Sequence, residues 1–308
     1  MIQKIYVCLS DYSTEAVELL RTKFDVTVRD KEQRPNEEEL CQLISEYDCL
    51  IIGAKEKLTD VVYDFAKDAE KIIGTLSIGT DHISNLFFSN PKMKIIACTD
   101  SNVVSVAEHT FAFMFCLTKK IFISNSAVLN NTGRVGLSGL PKDLYEHTIG
   151  VIGAGRIGSN VMKYANSFGM KILCYTREPQ KHSELLNYNV EFVDLNYLLS
   201  NSDVITIHLP LNNETENILN SNNLPLVKNI SYLINTSRVS LVDNKFLSEM
   251  LSSKKIAGYA VDIDNEEREV INLFENLNVI FTPHTAGVTI DAINRMDTEI
   301  AKKLIENA

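Results

Sequence analysis

Paired cysteines, long apolar runs, an excess of basic residues and tryptophan are all missing from this sequence of 308 residues. Its six cysteines (Cys8, Cys41, Cys49, Cys98, Cys116 and Cys174) include no C-x-x-C pair, which argues against a zinc site or a redox couple. Most sit inside apolar stretches and read as small buried hydrophobes of a reducing compartment. No metal site is expected. The most apolar segment, Thr110 to Leu117, ends at Lys119-Lys120 and is too short to span a bilayer. An N-terminal run, Ile5 to Leu9, is too short for a signal-peptide core, so the expectation is a soluble, cytoplasmic protein. The net charge of −10 argues against nucleic acid and anionic membranes as partners, although local basic residues still allow an anionic small molecule. There is no internal repeat and no low-complexity tract.

What is present is an ordinary globular composition, 45% hydrophobic and 23% charged. The chain is long enough for two domains, since single cores stop growing at about 250–300 residues. Its organising stretch runs from Thr148 to Arg177. An apolar run, Ile149 to Ile152, has the character of a strand buried on both faces. Gly153, Gly155 and Gly158 follow at G-x-G-x-x-G spacing. A helical pattern (Ile157, Val161, Met162, Ala165) and a second strand, Lys171 to Tyr175, complete the unit. A glycine pattern alone is weak, but between a strand and a helix it meets the context of a dinucleotide fingerprint. There the glycines permit the tight turn and let backbone N–H groups approach a pyrophosphate at the helix N-terminus.

Residues 1–100 alternate strand patterns (Lys4–Leu9, Asp25–Arg29, Cys49–Gly53, Lys71–Leu76, Lys94–Cys98) with helix patterns (Ser13–Lys23, Asn36–Glu46, Thr59–Lys67). Such alternation predicts a parallel sheet covered on both faces. Val103 to Phe122 reads as one long helix, apolar around most of its circumference and so buried between domains or subunits. Ser124 to Asp143 reads as a long polar connection. After the fingerprint, strands are predicted at Val190–Phe192, Val204–Leu209, Ser231–Asn235, Ile256–Val261 and Val279–Phe281. Helices are predicted near Leu195–Ser200, Asn244–Leu251 and Thr289–Glu306.

GAGRIG, LLSNSDVITIHLPLNNET, LINTSRVSLVD, AGYAVDIDNEE and FTPHTAG follow one another in this order, with KIIGTLSIGTDHI and NVVSVAEHT upstream. Together they resemble the D-isomer-specific 2-hydroxyacid dehydrogenase family over residues 48–290. The resemblance implies an α/β fold of two doubly wound parallel-sheet domains, a Rossmann dinucleotide-binding domain and a flavodoxin-like one. Residues 1–101 plus 287–308 would form the substrate domain and 102–286 the dinucleotide-binding domain, with the 103–122 helix mediating a homodimer. Closure of the two domains would exclude water from the cofactor cleft. The implied reaction passes a hydride from NAD(P)H to a small 2-oxo acid, giving a D-2-hydroxy acid. Glyoxylate or hydroxypyruvate is the favoured substrate class, and 3-phosphohydroxypyruvate, as in phosphoglycerate dehydrogenases, comes second. A non-catalytic, cofactor-sensing corepressor-like protein is the rival, but it has no need of a full catalytic set.

Arg238, Glu267 and His284 fall on the family's catalytic positions. Chemistry supports them independently. Arginine offers a two-pronged donor for a carboxylate and a charge that polarises a carbonyl. Histidine can protonate the oxyanion as hydride arrives. A carboxylate beside it favours the charged ring and fixes its orientation. Taken singly, Arg238 could be a surface arginine, His284 a turn residue and Glu267 part of a solvated acidic run with Asp262, Asp264 and Glu266; family spacing from Asp262 selects Glu267. By the same resemblance Arg156 and Ile157 lie over the pyrophosphate, and Leu209, Pro210 and Thr215 line the adenosine side. Thr236 and Ser237 approach the nicotinamide, and Asp262 binds its carboxamide. Ser77, Ile78 and Gly79 resemble the loop whose N–H groups hold the substrate carboxylate, an ordinary turn being the other reading of Gly79.

Four departures stand out. The second fingerprint strand usually ends in an acidic residue; here it ends Tyr175-Thr176-Arg177, which suits a 2′-phosphate and favours NADPH over NAD, while Glu178 could restore an NAD-type contact. Val239 replaces a glycine, Arg268 stands where proline is common, and the 124–143 connection lacks the usual tryptophan. Lys55 and Lys57 could read a second anionic group, though a solvated loop around Glu56 is the favoured reading. His82, His109, His147, His182 and His208 read as structural or surface groups.

Overall fold

A computed structural model of the chain describes residues 3–137, 139–264 and 266–307. These form two compact units, residues 1–102 with 290–308, and residues 103–289.

Unit 1 alternates β1 (Lys4–Val7), α1 (Thr14–Arg21), β2 (Asp25–Val28), α2 (Glu37–Glu46), β3 (Cys49–Ile52), α3 (Asp60–Asp64), β4 (Lys71–Thr75), α4 (Asn85–Ser89) and β5 (Met93–Ala97). All pairings are parallel, in the order β2-β1-β3-β4-β5, the flavodoxin-like arrangement. The helices start where the sequence supplies caps. Asn36 and Glu39 form a reciprocal capping box on α2, and the Ser13, Thr59 and Ser84 hydroxyls cap α1, α3 and α4. Every side chain of β3, in the middle of the sheet, is buried.

Unit 2 runs α5 (Val103–Thr118), α6 (Ile121–Leu129), β6 (Thr148–Ile152), α7 (Arg156–Ser167), β7 (Lys171–Tyr175), β8 (Val190–Phe192), α8 (Leu195–Asn201), β9 (Val204–Ile207), β10 (Ser231–Asn235), α9 (Asn244–Ser252), β11 (Ile256–Asp262), α10 (Arg268–Leu273) and β12 (Val279–Thr282). Its seven parallel strands lie in the order β12-β11-β10-β9-β6-β7-β8. The order reverses between β6 and β9, the switch point at which doubly wound sheets bind ligands outside their carboxyl ends. Two apolar cores, one on each face, hold the sheet between α5 and α7 on one side and α8 and α9 on the other. The chain then enters α11 (Ile290–Asn307), whose Ala292, Met296, Ile300 and Leu304 complete the core of unit 1.

The expected helix from Val103 to Phe122 is two helices. Lys120 is left-handed (φ 54°), and α5 and α6 meet at 50°. The break comes where the Thr118 carbonyl accepts from Lys142 N–H (2.8 Å). Lys119 pairs at the same place with Asp143. α6 therefore fills the start of the predicted polar connection, of which Ser138 lies outside the described residues. α5 buries Ala107, Phe111, Phe113, Met114 and Leu117 in a core of unit 2, whereas Val104 is exposed. No single helix among the described residues is long and apolar enough to cross a membrane.

Candidate active site

The fingerprint glycines each do something different. Gly153 turns the chain at φ 106°, and a Cβ there would lie 2.4 Å from the carbonyl oxygen of His208. A Cβ on Gly158 would lie 2.0 Å from the Gly153 oxygen, so this glycine sets how closely α7 packs on the turn. Gly155 faces open space, nothing lying within 4 Å of its Cβ position, and α7 begins there without a side-chain cap. Open room before an uncapped helix start fits a dinucleotide pyrophosphate. Arg156 and Ile157 form the first turn, Arg156 exposed.

At the end of β7, Arg177 is ion-paired with Glu214, and Glu178 is taken up by Lys181 at 2.7 Å. The hydrogen bond from Lys181 holds the Glu178 carboxyl below its ordinary range. Beyond β9, His208 is buried with its Nε2 2.9 Å from Thr206 Oγ1 and its Nδ1 unpartnered; burial pushes its pKa down to about 3, so the ring is neutral. Leu209 packs against the core. The Thr215 hydroxyl donates to the Pro210 carbonyl (2.6 Å) and accepts from Asn212 N–H (2.9 Å), which folds this loop on itself.

Asn235, fully buried at the end of β10, orders the next three residues. Its Oδ1 accepts from Ser237 N–H (2.9 Å) and its Nδ2 donates to the Arg238 carbonyl (2.8 Å). Ser237 Oγ donates to the Ile207 carbonyl (3.0 Å), and Thr236 Oγ1 lies 3.2 Å from Thr110 Oγ1 on α5. Arg238 is extended (φ −134°, ψ 138°), and Val239 enters a short 3-10 turn with its side chain in the core. The valine at this family glycine position therefore leaves an ordinary backbone.

Arg238, Glu267 and His284 follow β10, β11 and β12, three neighbouring parallel strands, at their carboxyl ends. His284 sits in a tight left-handed turn (φ 54°), its N–H donating to the Thr282 carbonyl (3.0 Å). Asp262 is buried and binds that turn: it accepts from Thr285 N–H and Ala286 N–H, both at 2.8 Å, and from the Thr282 hydroxyl. Behind Thr282 lies His109 of α5, its Nε2 3.1 Å from Thr282 Oγ1 and its ring edge-on to Phe113. Burial lowers its pKa, against the pull of Asp262. The carboxylate on His284 is that of Asp264, with Oδ2 2.7 Å from Nδ1. Glu267, the expected partner, stands at the N-cap of α10 and makes no side-chain cap bond there. Its carboxyl is shifted up, chiefly by burial and further by the charge of Asp264, while a backbone hydrogen bond at Asp264, then His284 and Arg238, pull it down. Arg268 opens α10. Asp264, Asn235 and His109 are the site residues that sequence spacing did not single out.

In unit 1, Ser77 Oγ donates to the Gly79 carbonyl (2.7 Å), and Thr75 Oγ1 lies 2.8 Å from Ser77 Oγ and 3.1 Å from His82 Nε2. This network fixes the loop holding Ser77, Ile78 and Gly79. Lys55 and Lys57 are exposed, whereas Glu56 between them is buried against Arg34.

Residues 111–286 match the family model described as D-isomer specific 2-hydroxyacid dehydrogenase, NAD binding domain. Over 295 residues the chain is 34% identical to a glyoxylate reductase from Thermofilum pendens, covering 93% of this chain and 86% of that one. It is similar to the crystal structure of a D-lactate dehydrogenase from Aquifex aeolicus complexed with NAD and lactic acid (26% identity, 99% and 95% of the two chains, TM-score 0.83). It is also similar to an acyclic imino acid reductase in complex with NADPH and D-Arg (28% identity, 99% and 95%, TM-score 0.82). The chain spans about half the length of the D-3-phosphoglycerate dehydrogenases it matches. With more than half of its length under the family model and a relative 34% identical over most of both chains, the chain belongs to the D-isomer-specific 2-hydroxyacid dehydrogenases: it is an NAD(P)-dependent oxidoreductase that reduces 2-oxo acids to D-2-hydroxy acids.

Proposed function

We propose that the substrate is a small 2-oxo acid of the glyoxylate and hydroxypyruvate class and that NADPH is the preferred cofactor. The observation that carries this reading is the convergence of Arg238, Glu267 and His284 on three neighbouring strand ends. The reduced nicotinamide, when bound, supplies the hydride for C2 of the substrate. Arg238 holds the substrate carboxylate and polarises the adjacent carbonyl. His284 gives its proton to the carbonyl oxygen as charge develops there. Glu267, with Asp264, supplies negative charge near the imidazole. Ser77, Ile78 and Gly79 are assigned to the substrate carboxylate by resemblance alone.

Unit 2 serves as the dinucleotide-binding domain and unit 1 as the substrate domain. Gly153, Gly155, Arg156, Ile157 and Gly158 hold the pyrophosphate, and Leu209, Pro210 and Thr215 the adenosine side. Thr236 and Ser237 approach the nicotinamide. Asp262, its oxygens already accepting three hydrogen bonds, is better suited to holding the His284 turn than to reaching a carboxamide. The NADPH preference rests on Thr176 and Arg177, with Glu178 diverted to Lys181. A homodimer is supported by the apolar side chains α6 leaves in solvent, Val128 at 71% and Leu129 at 73% exposure. The exposed pair Lys55 and Lys57 supports 3-phosphohydroxypyruvate as the second substrate reading.

The test is loss of reduced-cofactor absorbance, with NADPH and NADH each against glyoxylate, hydroxypyruvate, 3-phosphohydroxypyruvate, pyruvate and bulkier 2-oxo acids. Turnover of the first two with NADPH is the expected result. A preference for NADH overturns the cofactor assignment and a bulkier substrate the substrate class. Cofactor binding with no turnover across the panel would replace the catalytic reading by a sensing one.

A further inference from the structure

We propose that Asp264 is a positioning residue for His284, the anion that keeps the imidazole proton on Nδ1 and aims Nε2 at the reacting oxygen. The inference rests on the reading of His284 as proton donor. It starts from three facts. Asp264 Oδ2 lies 2.7 Å from His284 Nδ1, an ion-pair distance. Glu267 makes no side-chain cap bond on α10, although its backbone N–H donates to the Asp264 carbonyl (3.1 Å). His284 itself is held in a left-handed turn by its own N–H and by Asp262, so the ring leaves the backbone in one fixed direction.

A histidine that transfers a proton through one nitrogen needs the other nitrogen committed. A carboxylate on Nδ1 does this twice over: it selects the Nδ1–H tautomer of the neutral ring, leaving Nε2 the acceptor in the oxidation direction, and it stabilises the charged ring needed for reduction. Two carboxyls stand close enough to compete for the task. Asp264 is 45% exposed in its side chain and already touches Nδ1, whereas burial, followed by the Asp264 charge, disfavours the ionised form of Glu267 against a backbone hydrogen bond at Asp264. Distance therefore gives the contact with Nδ1 to Asp264, and Glu267 is the second carboxyl near the ring. The other charged or titratable groups around the ring are Arg238, which with His284 pulls Glu267 the opposite way, Asp262 beneath the turn, and His109 reaching Thr282 from α5.

The experiment has two arms. In the first, imidazole nitrogen NMR on histidine-labelled, unliganded protein at alkaline pH reads the His284 tautomer in wild type, Asp264→Ala, Asp264→Glu and Glu267→Ala. The Nδ1–H form is expected in wild type and Glu267→Ala, its loss in Asp264→Ala, and recovery in Asp264→Glu. In the second arm, 2-oxo acid reduction is followed against pH. Removing the charge of Asp264 moves the alkaline fall of kcat about one unit lower, a loss of roughly tenfold on the alkaline side with KM nearly unchanged, and leaves the acid side alone. An Nδ1–H tautomer that survives in Asp264→Ala and vanishes in Glu267→Ala overturns the proposal. His284→Asn turning over like wild type would instead remove the proton-donor reading, while the tautomer result still stands for or against Asp264.

Discussion

Glu56 meets Arg34 at 3.1 Å with none of its own side-chain surface exposed, and its second oxygen accepts from the backbone N–H of Gly53 at 2.6 Å. The loop between Lys55 and Lys57 is thus pinned at its centre rather than solvated throughout. Arg34→Ala strands a carboxylate in the interior and should cost about 3 kcal/mol, near the low end for a broken buried pair because Arg34 is partly exposed. Chemical denaturation measures it, and the double variant Arg34→Ala, Glu56→Leu should recover most of the loss. A single variant as stable as wild type would mean that the pair does not anchor the loop.

Arg177 is paired with Glu214, each side chain about two-thirds exposed. If a 2′-phosphate binds Arg177, it must compete with Glu214. Glu214→Gln should then lower KM for NADPH several-fold and leave KM for NADH alone, while Arg177→Ala should raise KM for NADPH by about tenfold, the scale of one charge-assisted hydrogen bond. Equal effects on both cofactors would separate Arg177 from the adenosine ribose.

Two glycines of the fingerprint should behave differently. Gly158→Ala drives a methyl group against the Gly153 carbonyl and should cost about 3 kcal/mol, as overpacking does. Gly155→Ala meets nothing and needs no unusual φ, so stability should hold within about 0.5 kcal/mol. Any rise in cofactor Kd for Gly155→Ala then reports the space the ligand itself uses. Calorimetry beside cofactor titration separates the two cases.

Within α11, two acids two residues apart give opposite pH dependences. Burial pushes Asp297 up to about 6, although it accepts from Ser13 N–H (2.8 Å). The native state then holds a proton that the unfolded chain has released, so stability falls as pH rises from about 4 through 6. Glu299 lies the other way: burial opposes it, but Lys303, Ser101 and Thr99 bring it down to about 2. Its contribution is complete above the unfolded value and is lost as pH falls toward 2. Thermal melts across pH 2–8 should show Asp297→Asn flattening the first slope and Glu299→Gln the second. Parallel profiles for wild type and either variant would contradict the corresponding assignment.

Much of this molecule is legible in its sequence because a parallel sheet keeps strands and chemistry in strict positions. The strands themselves follow from hydrophobic pattern, the strand-to-helix switch at Gly153 from the glycine spacing, and the choice of Arg238, Glu267 and His284 after those strands from the family resemblance. What was hidden depends on distant chain or on a single dihedral. The break at Lys120 leaves no mark, since the apolar residues of α6 continue those of α5. Glu56 between two lysines reads as surface until Arg34, 22 residues earlier, is seen against it. His109 meets Thr282 across 173 residues. Which acid of the run from Asp262 to Glu267 reaches His284 is decided by the turn between them, and spacing cannot encode it.

The return of α11 to the core of unit 1 carries a consequence for birth on the ribosome. The five-stranded sheet emerges first, yet the side chains of Ala292, Met296, Ile300 and Leu304 that seal it are translated only after all of residues 103–289. The contiguous unit can finish its own folding while the earlier one waits with an apolar face uncovered. During that interval the N-terminal sheet is the part of the nascent chain most in need of a chaperone, and a chain ended before Ile290 would carry the whole of one unit and an open core in the other.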